Sequence, residues 1–138
     1  MASLKAVRNA IEDALDSIDG LRIVDGAQIN PPAAVVTLGN RGVNYHQTAQ
    51  DGLAEWELRI LVYVGTAYTR TARDLLDDYL DTTGDRSVKQ AVEADSSLGG
   101  LVDDLIVSSA RQDDFVFQEG NTVLQYLGAE FFVTIQAA

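Results

Sequence analysis

The chain has 138 residues, no cysteine, and a formal net charge of −11 from 21 acidic and 10 basic residues. This length suits one domain, residues 1–138, and the lack of cysteine excludes disulfides and cysteine-ligated metal sites. The negative charge repels nucleic acid and anionic membranes, so neither is expected as a direct binding target.

An amphipathic helix is predicted over residues 3–18. Apolar residues recur there every three or four positions with polar residues between them, which gives a helix one apolar face. Ser3 suits the N-cap position, and Asp19-Gly20 suits the end of the helix. The first residues lack the apolar run of a signal peptide, and no later run could cross a bilayer, so we expect a soluble protein made in the cytoplasm.

Two short strands are predicted next, over Leu21 to Val24 and Ala33 to Leu38, with a turn between them at Pro31-Pro32. Residues 39–53 follow with three glycines and no hydrophobic period, so they are predicted to form a loop. The loop contains residues of types that interfaces favour or tolerate, and its candidate interface residues are Arg41, Tyr45 and His46. The alternative is an ordinary surface loop.

The clearest strand signal runs from Ala54 to Gly65, and the rest of the fold is expected to be organised around it. Alternate residues from Trp56 to Val64 are apolar. The opposite face is charged at first and becomes apolar at Leu61 and Tyr63. Such a strand is expected in the middle of a sheet, partly covered by another layer or another chain.

Two helices and three strands are predicted in the second half of the chain. The helices run from Thr69 or Thr71 to about Asp81 and from Ser87 to Ala94, with capping-box spacing at Ser87 and Gln90. The strands cover residues 101–111, 115–118 and 122–135, and the last two form a hairpin around Gly120-Asn121. The buried side of the last strand is predicted to comprise Val123, Leu127, Ala129, Phe131, Val133 and Ile135.

The predicted fold class is therefore α+β, a mainly antiparallel sheet with helices packed on one face, in the order α-β-β-β-α-α-β-β-β. Gly128 interrupts the last strand, so we expect a bulge or the close approach of another backbone there.

Residues that could support catalysis form no recognisable site. His46 is the only histidine, and the doublets Asp77-Asp78, Asp103-Asp104 and Asp113-Asp114 each offer at most one ligand in a given direction. We therefore predict no catalytic residue, no metal ligand, no cofactor and no enzymatic activity. A weak divalent-cation site between subunits, a small acidic hydrolase with paired carboxylates and a ligand-binding module stay open as alternatives.

Three stretches in sequence resemble the tail terminator family of long-tailed bacteriophages. They are INPPAAVV at Ile29 to Val36, SVKQAVEADSSLGGLVDDLIVSSAR at Ser87 to Arg111, and YLGAEFFVTI at Tyr126 to Ile135. Their order matches over nearly the whole chain, including the first helix and the strand that contains Trp56.

The resemblance implies a virion structural protein that caps the head-proximal end of the tail tube as a hexameric ring. It would stop polymerisation of the tail tube protein and dock the head-tail connector or head-closure protein, while DNA passes through the channel without specific binding. It would be made in the host cytoplasm and reside in the phage neck, with no catalytic residue. Another neck component, such as a head-closure or tail-completion protein, is the alternative.

A closed ring uses two different patches on each subunit, and an exposed strand edge readily pairs with a neighbouring strand. The predicted hairpin adds Phe115, Phe117 and Asn121 to the candidate interface residues. The alternative is that the hairpin is an ordinary surface turn.

Overall fold

A single sheet with helices packed on one face forms the fold. The computed structural model describes residues 3–23, 32–44, 54–65, 70–95 and 97–137. The helices and strands of these ranges are α1 (Leu4–Asp16), β1 (Arg22–Ile23), β2 (Ala33–Asn44), β3 (Ala54–Gly65), α2 (Arg70–Leu80), α3 (Val88–Glu93), β4 (Asp104–Glu119) and β5 (Thr122–Ala137).

The strand order in the sheet is β1-β2-β3-β5-β4. β1 pairs in parallel with β2, and the remaining neighbours are antiparallel. The predicted α+β class, its mainly antiparallel sheet and the order of its elements are confirmed, and the last three predicted strands form two, β4 and β5. None of the helices in the described ranges is long and apolar enough to span a membrane.

β3 is the central strand, because β2 lies on one side of it and β5 on the other. Its alternate residues from Trp56 to Val64 are buried against the helices, as their period predicts. The helices contribute a matching apolar stripe, so one continuous core lies between them and the sheet. Its helical members include Val7, Ile11, Leu15, Leu76, Tyr79, Val88 and Val92.

Serine side chains cap two of the helices. Ser3 Oγ accepts a hydrogen bond of 3.0 Å from the Ala6 N–H, and Ser87 Oγ accepts one of 3.1 Å from the Gln90 N–H. The Gln90 side chain accepts from the Gly84 N–H and not from the Ser87 N–H. Of the predicted capping box, only the hydrogen bond that the Gln90 N–H donates to Ser87 Oγ is therefore formed.

β2 is longer than the sequence predicts. It continues to Asn44, so the prediction of a loop beginning at Gly39 is wrong for residues 39–44. The pairing of β2 with β3 shifts register between Leu38 and Val43. This shift breaks the alternation that would reveal a strand, and the two glycines in the segment hide it further. Residues 45–53 lie outside the described part of the chain.

β4 joins two predicted strands into one, and a register shift between Val107 and Ser109 lies near its start. The predicted turn between β4 and β5 is confirmed at Gly120 and Asn121, where Gly120 has a positive φ of 59°. Such backbone conformations favour glycine, which has no Cβ to clash.

Gly128 lies where two strands approach closely, as the sequence predicts. A Cβ atom at this position would overlap the carbonyl oxygen of Val62 and would lie 2.9 Å from Cε2 of Phe115. The adjacent pairing of β3 with β5 shifts register between Tyr63 and Gly65. The close strand packing at this point therefore requires glycine.

Candidate interaction surface

β4 and β5 extend beyond the rest of the sheet as a two-stranded ribbon. The pairing of β5 with β3 ends at Leu127, opposite Gly65. Among the described strands, residues 122–126 of β5 pair with residues 115–119 of β4 alone. We call residues 115–126 the arm. Because an isolated two-stranded ribbon is marginally stable in water, the arm depends on contacts outside its own ladder.

An aromatic cluster anchors the base of the arm to β3. The Tyr63 ring contacts Phe115 edge-on at 4.9 Å and Tyr126 at 5.8 Å between ring centroids. Pairs of this geometry stabilise by about 0.5–1.5 kcal/mol beyond their burial. Burial raises the pKa of Tyr63 above 10.0, and the charge of Glu130 adds to this while that of Arg59 opposes it. Phe115, a predicted interface residue, is half-buried here and fixes the direction of the arm.

Two valines are exposed near the tip of the arm. Val116 and Val123 are each 63% exposed. Val116 lies opposite Gln125 and Val123 opposite Gln118, so the two valines are diagonal neighbours on one face of the ribbon. The prediction that Val123 is buried is wrong, because β5 continues past the part of the sheet that the helices cover. Because they are neighbours on a projecting element, the two valines form a candidate contact surface.

The other predicted interface residues lie on two different sides of the sheet, some on the arm and one on β2. Asn121 is exposed in the turn of the arm, and Phe117 lies on its β4 strand. Arg41 lies on β2, at the opposite side of the sheet. The side chains of Phe117 and Arg41 are outside the described set, and so are Tyr45 and His46 altogether.

A side-chain pair from α3 occupies the outer edge of β4 at Val107. Glu93 Oε2 accepts a 2.8 Å hydrogen bond from the Val107 N–H, and Lys89 Nζ donates a 3.3 Å bond to the Val107 carbonyl oxygen. Lys89 Nζ also lies 2.7 Å from Glu93 Oε2. We call Lys89 and Glu93 the clamp. The i, i+4 spacing of Lys89 and Glu93 in the sequence indicates that the two can pair. Nothing in the sequence indicates that they also hydrogen-bond to Val107 on β4.

The clamp predicts a pH-dependent contribution to stability. Burial raises the pKa of Glu93. The hydrogen bonds from Lys89 and Val107 and the charge of Lys89 lower that pKa by a larger amount, so the net pKa lies below 4.5. Ionised Glu93 therefore stabilises the fold above that pH, and the contribution disappears as pH falls through the folded-state pKa. We expect Glu93→Gln to lower the free energy of unfolding by about 0.5–1 kcal/mol at pH 7 and by less in acid.

Urea unfolding of both proteins at pH 7 and at successive pH values below 4.5 measures this difference. Asp13→Asn, an exposed change on α1, is the control. A difference that keeps its size across the acid range contradicts the assignment.

A buried carboxylate lies between two arginines on the sheet face opposite the helices. Glu130 is 4% exposed. Its Oε2 is 3.4 Å from Arg59 Nη1 and its Oε1 is 3.3 Å from Arg111 Nη2. The Arg111 guanidinium also lies 5.7 Å from the centre of the Phe132 ring. These contacts connect β3, β5 and β4 across the sheet, beside the base of the arm.

We expect Glu130→Ala to lower the free energy of unfolding by about 1–3 kcal/mol, because it leaves the partly buried Arg59 without its carboxylate. Arg111→Ala is the matched control, and it should cost less because the Arg111 side chain is 62% exposed. Chemical denaturation of the two variants measures both values. Equal losses of unfolding free energy in the two variants would show that the burial of Glu130 does not increase its contribution to stability.

An open, acidic hollow lies between the end of α1 and the α2–α3 connection. It has a volume of about 800 Å³, and its lining includes Asp19, Asp78, Asp81 and Asp85. Asp78 pairs with Arg86 at 3.4 Å, and both side chains are about half exposed. Within the described ranges, no three histidine or acidic side chains are grouped to hold a metal ion. Such exposed acids differ from the environment-tuned carboxylate pairs that hydrolases use.

No protein-family model matches the sequence, and no curated protein matches it. Within the described ranges, the arm with its exposed valines, the partly clamped edge of β4 and the outer side of β2 are candidate surfaces for a protein partner.

Proposed function

We propose that this protein is a virion structural subunit that closes the head-proximal end of a bacteriophage tail tube as a hexameric ring. The observation that carries the proposal is the arm, which projects past the sheet and leaves Val116 and Val123 each 63% exposed. The resemblance of the sequence to tail terminators supplies the setting. The arm supports it because a marginally stable ribbon with two neighbouring exposed valines would be stabilised by packing against a partner.

A ring requires that each subunit present two unlike surfaces to its two neighbours. The sheet offers two, since β4 with the arm forms one edge, and β1 together with the part of β2 that β1 does not cover forms the other. A contact between unlike surfaces closes into a ring when the rotation that relates neighbouring subunits is a whole-number fraction of a full turn. Closure leaves the two ring faces for other proteins, namely the tail tube protein on one and the head-tail connector or head-closure protein on the other.

The charge of the chain suits a ring through which DNA travels. A formal charge of −11 repels the phosphate backbone, so DNA passes without specific binding. On this proposal the protein is made in the host cytoplasm and is incorporated at the phage neck. No catalytic activity or cofactor is involved.

Two measurements test the proposal together. Size-exclusion chromatography with light scattering is expected to show a hexamer, either alone or after addition of purified tail tubes. Deleting the gene is expected to yield tubes of excessive length, and supplying the protein should restore normal length. Monomer under both conditions overturns the ring. Finished tails with unjoined heads would instead assign the protein to head closure.

A further inference from the structure

β4 is the last strand in the sheet order, so its outer backbone groups have no strand neighbour among the described residues. Exposed strand edges are sites at which a strand of another chain can add. β4 is 16 residues long, well above the common strand length of about 5–6 residues. An unprotected edge of this length would therefore invite pairing with other copies of the chain.

The clamp takes the place of a neighbouring strand at Val107. In an antiparallel ladder the N–H and the carbonyl group of one residue point to the same side of the strand. Glu93 Oε2 accepts from the Val107 N–H at 2.8 Å, and Lys89 Nζ donates to the Val107 carbonyl oxygen at 3.3 Å. Both groups with which Val107 could receive an added strand are therefore occupied by side chains of α3.

The register shift beside the clamp interrupts the edge further. Val107 lies opposite Val133 and Ser109 lies opposite Phe132, so Ser108 has no partner of its own in the ladder. Ser108 Oγ donates a 3.1 Å hydrogen bond to the Phe132 carbonyl oxygen within the sheet. Irregularities of this kind bend and twist a strand, and they are one of the means by which natural sheets protect their edges.

A second side chain blocks the edge farther along β4. Asp113 Oδ1 accepts a 2.8 Å hydrogen bond from the Asp114 N–H, so this amide is not free to donate to an added strand. Residues 109–113 remain between the two blocked positions, and the arm begins directly after Asp114. Because only alternate residues of a strand point their backbone groups outward, this stretch offers about two or three residues for pairing. It is therefore too short to hold an added strand of ordinary length.

We propose that the clamp and Asp113 protect the outer edge of β4, up to the arm, from pairing with a strand of another copy of this chain. They close the backbone of β4 and leave the side chains of the arm free to make contacts. A specific contact through Val116 and Val123 is thereby separated from indiscriminate strand addition. The inference goes beyond the proposed ring and does not depend on it, because an unprotected edge would also cause a monomer to aggregate.

Removing the clamp tests this inference. The full-length variant Lys89→Ala/Glu93→Ala should exchange its Val107 amide hydrogen roughly ten-fold faster than the unmodified protein, and should form about ten-fold more sedimentable aggregate. Arg73→Ala/Asp77→Ala is the matched control, since it removes an exposed cation and an exposed acid of the same i, i+4 spacing from α2. Its aggregation should equal that of the unmodified protein.

A third variant distinguishes an open edge from a weaker fold. Ala110 is exposed on β4 between the two blocked positions, and a lysine on an edge strand opposes pairing. Adding Ala110→Lys to the clamp variant should return its aggregation to within about two-fold of the unmodified protein, although the lost stability of the clamp is not restored. Adding Asp113→Ala instead should increase the aggregation of the clamp variant.

Each outcome decides the inference. Aggregation that rises when the clamp is removed and falls again with Ala110→Lys supports edge protection. Aggregation that Ala110→Lys does not reduce assigns the effect to lost stability, which urea unfolding measures, and overturns the inference. An equal amount of aggregate from the clamp variant and its control also overturns it, and no increase with Asp113→Ala removes Asp113 from the protection. None of these results bears on the ring, which the subunit number of the unmodified protein decides.

Discussion

Replacing Gly128 by alanine is expected to lower the free energy of unfolding by about 3 kcal/mol or more. The added Cβ would overlap the Val62 carbonyl oxygen and would lie 3.1 Å from the Val62 carbonyl carbon. Both are backbone atoms of the central strand, which cannot move without breaking the β3–β5 ladder. The Phe115 ring lies on the remaining side, so the methyl group has no free direction.

Gly65→Ala is the matched control at the same end of the sheet. A Cβ there would lie 3.7 Å from the Ala72 side chain, an ordinary van der Waals distance. We expect a change within about 0.5 kcal/mol, of either sign. Urea unfolding followed by circular dichroism measures both variants. Equal midpoints for the two would contradict the close approach at Gly128.

If the protein forms the proposed ring, replacing Val116 and Val123 together by asparagine is expected to abolish the ring and leave folded monomers. Each valine is 63% exposed, so covering it in an interface would contribute about 1–2 kcal/mol. Losing both would weaken each contact between neighbours by a factor of roughly 30 to 1,000. Since every contact in the proposed ring is affected, the variant is expected to be monomeric at concentrations where the proposal predicts that the unmodified protein is a hexamer.

Ile106→Asn provides the control for this prediction. Ile106 is 50% exposed but lies on β4 outside the arm. The Ile106→Asn substitution therefore reduces the apolar surface outside the arm and leaves the arm unchanged, so the hexamer should persist. Light scattering gives the subunit number, and thermal unfolding shows that each variant is folded. A hexamer from the Val116 and Val123 variant would show that the arm is not part of the contact. A monomer from the Ile106 variant would show that loss of the hexamer is not specific to the arm.

Features with a local cause were predictable from the sequence. The period of two in β3 reveals the strand and its buried face. Ser3 and Ser87 reveal helix starts through short polar side chains before apolar repeats. Gly120-Asn121 reveals the turn, and Gly128 reveals a close approach. Each of these signals lies within a few residues of the feature that it predicts.

Features that depend on distant residues were not predictable. Periodicity correctly places Val123 on the helix side of β5, but it cannot show that the helices stop short of it. The bonds of the clamp to Val107 and of Glu130 to Arg59 join segments that only the fold brings together. Phe115 was predicted as a contact residue, and its packing against Tyr63 assigns it to the base of the arm.

The pairing order of the strands has a consequence for how the chain folds. β4 and β5 meet across a tight turn, whereas β3 meets β5 only after α2, α3 and β4 have intervened. Closing the short loop costs less chain entropy, so the hairpin can form early and the central ladder late. A refolding molecule would therefore expose Val116 and Val123 of the β4–β5 hairpin before its hydrophobic core is complete. Dilute conditions should favour productive refolding over premature association.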